Sequence, residues 1–246
     1  MTTHPTPEQQ ARTAELRALA ESGAEALAWD ARAEDVIAWA SEQFSTREIA
    51  VACSMQDAVL PAMVADQIPG VDVLFLETGY HFAETIAERN EVARTLDVNI
   101  VDVTPRLTVA EQDAQYGKDL FGRDPAACCR MRKMEPLGEA LTGYSLWFTG
   151  VRRDEAPTRV NTPLVTWDEL HGLIKVNPLA TWSFDDLVSY SHEHSVPVNL
   201  LLENGYPSIG CRPCTQPVAP GEDPRSGRWA GSGKVECGIH TTEATS

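Results

Sequence analysis

The feature of this sequence that most constrains its fold is an alternation, in the middle of the chain, of short apolar runs with segments of helical character. Four runs of five or six residues have the β-branched content and flanking turn residues of buried strands: 48–53, 71–76, 99–103 and 145–149. Helix-like segments lie between them: 57–67, 81–96, 108–117 and 128–141. The alternation predicts an α/β fold, with an open, mostly parallel sheet and helices on both faces.

The rest of the chain divides into segments of different character. Residues 1–45 carry apolar side chains at helical spacing, and Gly23 is predicted to separate two helices there. The α/β domain is predicted over 46–204. Beyond it Gly, Pro, Ser and Arg predominate, which predicts an irregular cysteine loop with anion-binding arginines over 205–230 and a mobile tail over 231–246.

Composition excludes several classes of protein. Among 246 residues, 36 acidic side chains outnumber 20 basic ones, and the formal net charge of −16 argues against nucleic acids and acidic membranes as partners. No apolar run approaches the roughly 20 residues that cross a bilayer, and Met1–Gln10 lacks the features of a secretory signal. We therefore expect a cytoplasmic protein, whose six cysteines serve as metal ligands or reactive thiols rather than as disulfides.

Positive charge is concentrated in the stretches that contain cysteines. Eleven of the twenty basic residues lie there: Arg123, Arg130, Arg132, Lys133, Arg152, Arg153 and Arg159, then Arg212, Arg225, Arg228 and Lys234. An acidic protein with such clusters is expected to bind a small anion beside them. The alternative is that these charges belong to ordinary solvated helix faces.

Two polar turns are placed to bind a ligand. Ala52–Asp57 follows the first predicted strand and Glu77–Tyr80 follows the second. In an open parallel sheet, ligands bind beyond the carboxyl ends of the strands, and a turn that opens a helix can hold an anion on its free backbone N–H groups. The alternative is that each is an ordinary loop that caps a helix.

Four of the six cysteines form two close pairs, Cys128–Cys129 and Cys211–Cys214. A C-x-x-C spacing can place two thiolates on one metal centre. Neighbouring side chains on a helix diverge by about 100°, which suits a large cluster better than a compact zinc ion. An iron–sulfur cluster is therefore the first interpretation and zinc the second, with buried free thiols as the remaining alternative.

Cys237 stands apart from these pairs, after Gly231–Gly233, a segment that predicts a flexible hinge. A lone cysteine on a mobile arm can enter a site, react and leave, and cations such as Lys234 favour its reactive thiolate. The tail is therefore the candidate catalytic segment, with a stray exposed thiol as the alternative. Cys53 ends a predicted strand and is interpreted as a small core residue.

Six motifs follow one another between about Ile49 and His240: L-E-T-G-Y-H, C-C-R-M-R-K-M-E-P-L, G-V-R-R-D-E-A-P-T-R, Y-P-S-I-G-C-R-P-C-T, R-S-G-R-W and E-C-G-I-H. Together they resemble the assimilatory sulfonucleotide reductases, and specifically the cluster-containing adenosine 5′-phosphosulfate (APS) reductases of bacteria. The turn Ser54–Asp57 departs from the glycine-rich S-G-G-x-D loop of ATP pyrophosphatase relatives. That departure argues against an ATP-dependent ligase or thiolation enzyme.

The resemblance implies a fold and a set of site residues. The fold is the adenine-nucleotide α-hydrolase-like form of the predicted sheet. One 4Fe–4S cluster per chain would be ligated by Cys128, Cys129, Cys211 and Cys214. Cys237 would be the catalytic nucleophile, with His240 as a second candidate catalytic residue or an incidental tail histidine. The implied substrate contacts are Ser54, Glu77, Thr78, Gly79, Lys133, Arg152, Arg225 and Arg228.

The resemblance also implies a reaction. The Cys237 thiolate would attack the sulfate sulfur of APS, AMP would leave, and an enzyme S-sulfonate would form. A second thiol must then release sulfite, and of the remaining cysteines only Cys53 would not be a ligand. An external dithiol is therefore expected, which the family takes from thioredoxin. The cluster is expected to place Lys133 and to tune the charge around it rather than to transfer electrons.

Three alternative functions remain open at this point. The first is reduction of the 3′-phosphorylated substrate (PAPS), although PAPS-specific relatives typically lack both cysteine pairs. The second is a non-catalytic iron–sulfur or zinc-binding sensor on the same fold, and the third is an ATP-dependent thiolation enzyme. The sequence also leaves open whether the chain forms a homo-oligomer.

Overall fold

The sheet has the predicted mostly parallel arrangement. The computed structural model describes residues 6–231, 234 and 236–239. Within them the strands are β1 Ile49–Ala52, β2 Val71–Leu76, β3 Val98–Val103, β4 Leu146–Thr149, β5 Val165–Asp168 and β6 Leu173–Val176. The strand order is β3–β2–β1–β4–β6–β5, and every neighbouring pair is parallel except β5 with β6. The four predicted strands and the fold class are confirmed.

The helices likewise fall close to the segments predicted from the sequence. They are α1 Pro7–Ala26, α2 Ala33–Gln43, α3 Val59–Gln67, α4 Ala83–Thr95, α5 Val109–Tyr116, α6 Leu120–Arg123, α7 Pro125–Cys129, α8 Glu135–Leu141 and α9 Phe184–Glu193. Between α7 and α8 the chain forms a π-helix, Arg130–Met134. This wider turn begins directly after the adjacent cysteines.

Alternation along the strands explains why helices cover both faces of the sheet. Ile49 and Val51 of β1 point into a core that also contains residues of α1–α4 and α9. Ala50, between them, points to the opposite face, where it joins Trp147 and Leu137 of α8. Successive strand side chains face opposite sides of a sheet, so a strand that is apolar at every position requires cover on both.

The prediction that Gly23 separates two helices is wrong. Helix α1 continues through Gly23 to Ala26, and the break falls at 27–32. A Cβ at Gly23 would lie 2.4 Å from ring carbon Cζ2 of Trp39 on α2, which is closer than atoms can pack. Gly23 therefore leaves the space that the Trp39 ring of α2 occupies against α1. Its lack of a side chain serves packing rather than helix termination.

The carboxyl ends of the central strands converge on one edge of the sheet, where the polar turn Cys53–Asp57 follows β1. Met55 in this turn has a φ of 56°, in the left-handed region, and its carbonyl accepts a hydrogen bond from Asn199 Nδ2 at 3.0 Å. The turn is thereby fixed at the sheet edge.

Among the described helices, none combines the length and the hydropathy that crossing a bilayer requires.

Candidate active site

A cavity of about 210 Å³ opens at the carboxyl edge of the sheet, between the turns that follow β1, β2 and β4. Six of the predicted site residues line it: Ser54, Lys133, Arg152, Arg225, Arg228 and Cys237. They come from five separate stretches of the chain, and the parallel sheet brings those stretches to one edge. The cavity therefore joins the predicted nucleophile to the predicted anion-binding cations.

The turn Glu77–Gly79, also predicted to contact substrate, does not line this cavity in the described structure. The Thr78 side chain is fully buried, and its hydroxyl lies 3.4 Å from the Cys211 sulfur, within reach of a thiol hydrogen bond. The buried guanidinium of Arg132 donates to the Thr78 carbonyl. The structure thus turns Thr78 toward the cysteines rather than toward the cavity.

The two cysteine pairs meet in a second, small pocket beside the first. It is lined by Cys128, Cys129, Cys211 and Cys214. Burial, and then the charges of Cys211 and Cys214, raise the pKa of the Cys128 thiol to about 11. Four cysteine sulfurs that line one small pocket are a donor set whose negative charge a positively charged group would stabilise.

The spacing of the donors bears on which kind of metal group would fit them. In the described part of the chain, no three His, Cys, Asp or Glu side chains converge closely enough to hold a single metal ion. A zinc ion requires each sulfur at about 2.3 Å from one point. An iron–sulfur cluster offers a separate iron to each thiolate, so more widely spaced donors fit it. The residues present fit a cluster better than a lone ion.

Lys133 and Arg228 line both cavities and form the wall between them. Burial opposes the charge of the Lys133 ammonium, but the thiolates of Cys211 and Cys237 raise its pKa above that of a free lysine. The Arg228 guanidinium is oriented by the Ser208 hydroxyl at 3.1 Å and by the Ile209 carbonyl at 3.2 Å. Two fixed cations thus stand between the cysteine pocket and the larger cavity.

The Cys237 sulfur is placed to be a nucleophile. A hydrogen bond from the Cys129 thiol is the largest influence that lowers the pKa of Cys237, and the cations Lys133, Lys234 and Arg228 lower it further against the effect of burial. Lys133, Lys234 and Arg228 remain beside Cys237 when Cys129 ligates a metal, and their charges favour the thiolate in that state as well. A thiolate at Cys237 is therefore favoured.

Cys53 differs from Cys237 in the direction of its pKa shift. Burial, and then the Asp57 carboxylate, raises the pKa of the Cys53 thiol to about 12. The Cys53 sulfur donates to the Asp57 carbonyl and accepts from Met55 N, each at 3.4 Å. Although it borders the cavity, Cys53 is held as a protonated thiol that packs against the core. His240, the other candidate catalytic residue, lies outside the described residues.

A chain of alternating charges borders the cavity and includes residues to which sequence reasoning gave no role. Arg152 pairs with Glu155, Glu155 with Arg159, and Arg159 with Glu236, whose carboxylate also meets Arg225. Glu155 and Glu236 were not among the predicted site residues. The available signal was the position of Glu236 immediately before the lone cysteine, and of Glu155 within the R-R-D-E motif.

The chain belongs to the phosphoadenosine phosphosulfate reductase domain family, whose profile matches residues 48–217. A solved structure supports the fold. The crystal structure of phosphoadenylyl-sulfate (PAPS) reductase from Candida auris, a phosphate complex, is similar with a TM-score of 0.64 at 23% sequence identity. The match covers 89% of this chain and all of that chain.

Within this family, two similar curated proteins are adenosine 5′-phosphosulfate reductases. The protein of Mycolicibacterium smegmatis is 57% identical over 228 residues, which cover 93% of this chain and 96% of that protein. The protein of Streptomyces coelicolor is 52% identical over 233 residues, which cover 95% and 98%. The predicted resemblance to APS reductases is confirmed.

Proposed function

We propose that this protein reduces adenosine 5′-phosphosulfate to sulfite and AMP, as an oxidoreductase of sulfate assimilation toward cysteine. The observation that carries the proposal is the Cys237 sulfur in a cavity at the carboxyl edge of the sheet, beside Lys133 and Arg228. The reductases named for APS to which the chain is similar share about half of its residues over nearly its whole length.

The first step is attack by the Cys237 thiolate on the sulfate sulfur of APS. A sulfur–sulfur bond forms, the sulfur–oxygen bond to the phosphate breaks, and AMP leaves with that electron pair. Thiolate and substrate are both anionic, so Lys133, Arg225 and Arg228 are proposed to offset the charge and orient the group. Ser54 and Arg152, which also line the cavity, are proposed to contact the nucleotide.

The second step needs an external dithiol. Attack of one of its thiolates on the Cys237 sulfur releases sulfite and leaves a mixed disulfide. The second thiol of the reductant then frees Cys237, and the dithiol is oxidised to a disulfide. Cys53 is held protonated and is a poor internal substitute. A thioredoxin-type protein in the cytoplasm is the proposed reductant.

The cysteine pocket is proposed to hold one 4Fe–4S cluster on Cys128, Cys129, Cys211 and Cys214. When bound, the cluster would fix the two cysteine-bearing segments and add its charge to the wall beside Lys133. The dithiol already supplies both electrons of the reduction, so no redox change at the cluster is required. Iron content and the visible spectrum of protein purified without oxygen test the assignment. Zinc in place of iron would overturn it.

Mass measurement tests the proposed nucleophile. Addition of APS to anaerobically purified protein should add one SO₃ group to the peptide that contains Cys237. Cys237→Ser should abolish the adduct and sulfite release while AMP still binds, and Cys53→Ser should form the adduct at the wild-type rate. A cluster-loaded wild-type protein that forms no adduct would rule out the mechanism. Faster turnover of PAPS than of APS would reassign the substrate.

A further inference from the structure

The segment that carries Cys237 is held in place by a carboxylate. Glu236 immediately precedes Cys237, and its side chain is only 16% exposed. Its carboxylate accepts hydrogen bonds from Arg159 Nε at 3.0 Å and Nη2 at 2.9 Å, from Arg225 Nη2 at 3.0 Å, and from the Thr158 hydroxyl at 3.3 Å. Several charge-assisted donors on one carboxylate fix its orientation as well as its position.

Arg159, one of the two arginines that hold Glu236, is itself tied to the core. Arg159 also donates to Glu155, and Glu155 pairs with Arg152, whose side chain is 6% exposed. Arg152 lies in the loop that follows the central strand β4. Buried charge pairs add little net stability, but they are costly to break and so impose geometry. The carboxylate of Glu236 thus connects the segment that carries Cys237 to the loop after β4.

Cys237 is also confined from its other side. Gly238 has a φ of 93°, and a Cβ at this position would lie 2.8 Å from the Met134 sulfur of the π-helix. The Cα atom of Cys237 lies about 3.8 Å from those of Glu236 and Gly238, its neighbours in the chain, so it cannot move far from either. With Glu236 bound by arginines and Gly238 against Met134, the Cys237 thiol has little freedom to leave the vicinity of Lys133.

We propose that Glu236 is a positioning residue for Cys237, whose thiol it holds beside Lys133 through its ion pairs with Arg159 and Arg225. Glu236 acts on the reaction only through Cys237, its neighbour in the chain. We therefore expect it to affect where the Cys237 thiol lies. The inference rests on the proposed function, in which Cys237 is the nucleophile. A carboxylate suits this position because the guanidinium groups of Arg159 and Arg225, only 12% and 13% exposed, both point at it.

The first test measures accessibility in the substrate-free, cluster-loaded protein. Alkylation of Cys237 by iodoacetamide is followed by peptide mass at about pH 9.5, above the usual thiol pKa of about 8.5, so that ionisation does not decide the rate. Glu236→Gln should react roughly tenfold faster than wild type or more, because one partner of a buried charge pair is lost. Glu222→Gln, an exposed glutamate of the same C-terminal region, is the matched control and should react at the wild-type rate.

The second test separates the two chemical steps. In a single turnover, Glu236→Gln should form the Cys237 S-sulfonate roughly tenfold more slowly or worse, since a misplaced nucleophile loses near-attack geometry. Its affinity for AMP should be unchanged, and dithiothreitol should reduce the preformed S-sulfonate no more slowly than in wild type. A general folding defect would instead weaken AMP binding and slow both steps.

The outcomes distinguish this inference from the proposed function. If wild-type protein forms no S-sulfonate, the proposed function fails while the alkylation test still reports on Glu236. If wild type reacts and Glu236→Gln matches it in alkylation or in S-sulfonate formation, the positioning role is refuted. Tighter AMP binding by Glu236→Gln would also overturn it. Such a result would mean that the Glu236 carboxylate competes with the anionic ligand for the arginines.

Discussion

Two adjacent arginines show how strongly the role of a residue depends on the direction in which the backbone presents it. Arg152 is buried and lines the cavity. Arg153 points the other way: it donates to the Thr162 and Trp29 carbonyls, both at 2.9 Å, and its guanidinium lies 3.5 Å from the centre of the Trp29 ring. Arg153 therefore attaches the segment between α1 and α2 to the loop after β4.

The pair gives a prediction with an internal control. Arg152→Ala should weaken AMP binding by about tenfold or more, through loss of a cation at the cavity wall. Arg153→Ala should leave AMP affinity unchanged and lower stability by about 1 to 2 kcal/mol, or several degrees in thermal midpoint. Calorimetric titration and thermal unfolding measure the two effects. Weaker AMP binding by Arg153→Ala, together with unchanged AMP binding by Arg152→Ala, would contradict the orientations described.

Glu88 on α4 is a buried carboxylate, 7% exposed, and it gives a prediction about pH. Burial, and then the charges of Asp57 and Glu91, raise the pKa of Glu88 to about 7. The unfolded value is about 4.3, so the folded state binds more protons between these pH values, and stability falls as pH rises from about 4.3 to about 7. Glu88→Gln removes this loss and should stabilise the protein by about 1 to 3 kcal/mol at pH 8 but not below about pH 4.

Thermal midpoints of wild type and Glu88→Gln at several pH values between these limits would check the slope. Glu42→Gln on α2 is the control, because Glu42 is exposed and is not among the charges that raise the pKa of Glu88. It should change stability by no more than about 0.5 kcal/mol. If the thermal midpoint changed equally with pH in wild type and in Glu88→Gln, the buried Glu88 carboxyl would not be the group that titrates.

At the residue scale, sequence reasoning finds chemistry that local spacing encodes and misses pairings between distant segments. The paired and lone cysteines differ in spacing alone, and the structure places them in the pocket and the cavity accordingly. Arg159 and Glu236 are 77 residues apart, and no local pattern connects them. The sequence does not reveal the orientation of Thr78 either, because it depends on the buried Arg132, which lies in the π-helix 54 residues later.

At the scale of elements, the strands were predictable because a buried parallel strand must be apolar on both faces and short. The π-helix Arg130–Met134 was not, since one extra residue in a turn leaves the hydrophobic pattern of 128–141 almost unchanged. π-Helical turns often mark functional sites. This one lies between the Cys128–Cys129 pair and α8, and it carries Lys133 to the wall of the cavity.

The contact between α1 and α2 yields a prediction at this scale. Gly23→Ala places a Cβ against the Trp39 ring, and overpacking of this kind costs about 1 to 3 kcal/mol. Gly122→Ala, in α6, meets no atom within 4 Å and should be neutral or stabilising by up to about 1 kcal/mol. Thermal unfolding of both variants measures the difference. Similar effects of the two substitutions would show that α2 does not pack closely at Gly23.

At the scale of the whole molecule, a net charge of −16 surrounds a cavity lined by cations. An anionic substrate is therefore repelled at long range and attracted only at the site. Salt screens the long-range repulsion more than the short-range attraction, because the Debye length falls from about 30 Å at 0.01 M to about 8 Å at 0.15 M.

We therefore expect the association rate constant of APS to stay constant or rise by a few-fold, rather than fall, when salt is raised from about 0.01 M to about 0.15 M. Adenosine, which is uncharged, should show no dependence and serves as the control ligand. Stopped-flow binding measures both. A steep fall for APS would mean that the field of the cavity cations extends beyond the acidic surface.

The placement of the two cysteine pairs has a consequence for how the protein is made. They lie roughly 80 residues apart in the chain, so a group bonded to both would act as a covalent cross-link worth about 4.5 kcal/mol through chain entropy. The second pair is synthesised only after β4, β5, β6 and α9. The proposed cluster could therefore be bonded to both pairs only after all six strands have left the ribosome, and the apoprotein would first have to bring both halves of the pocket together.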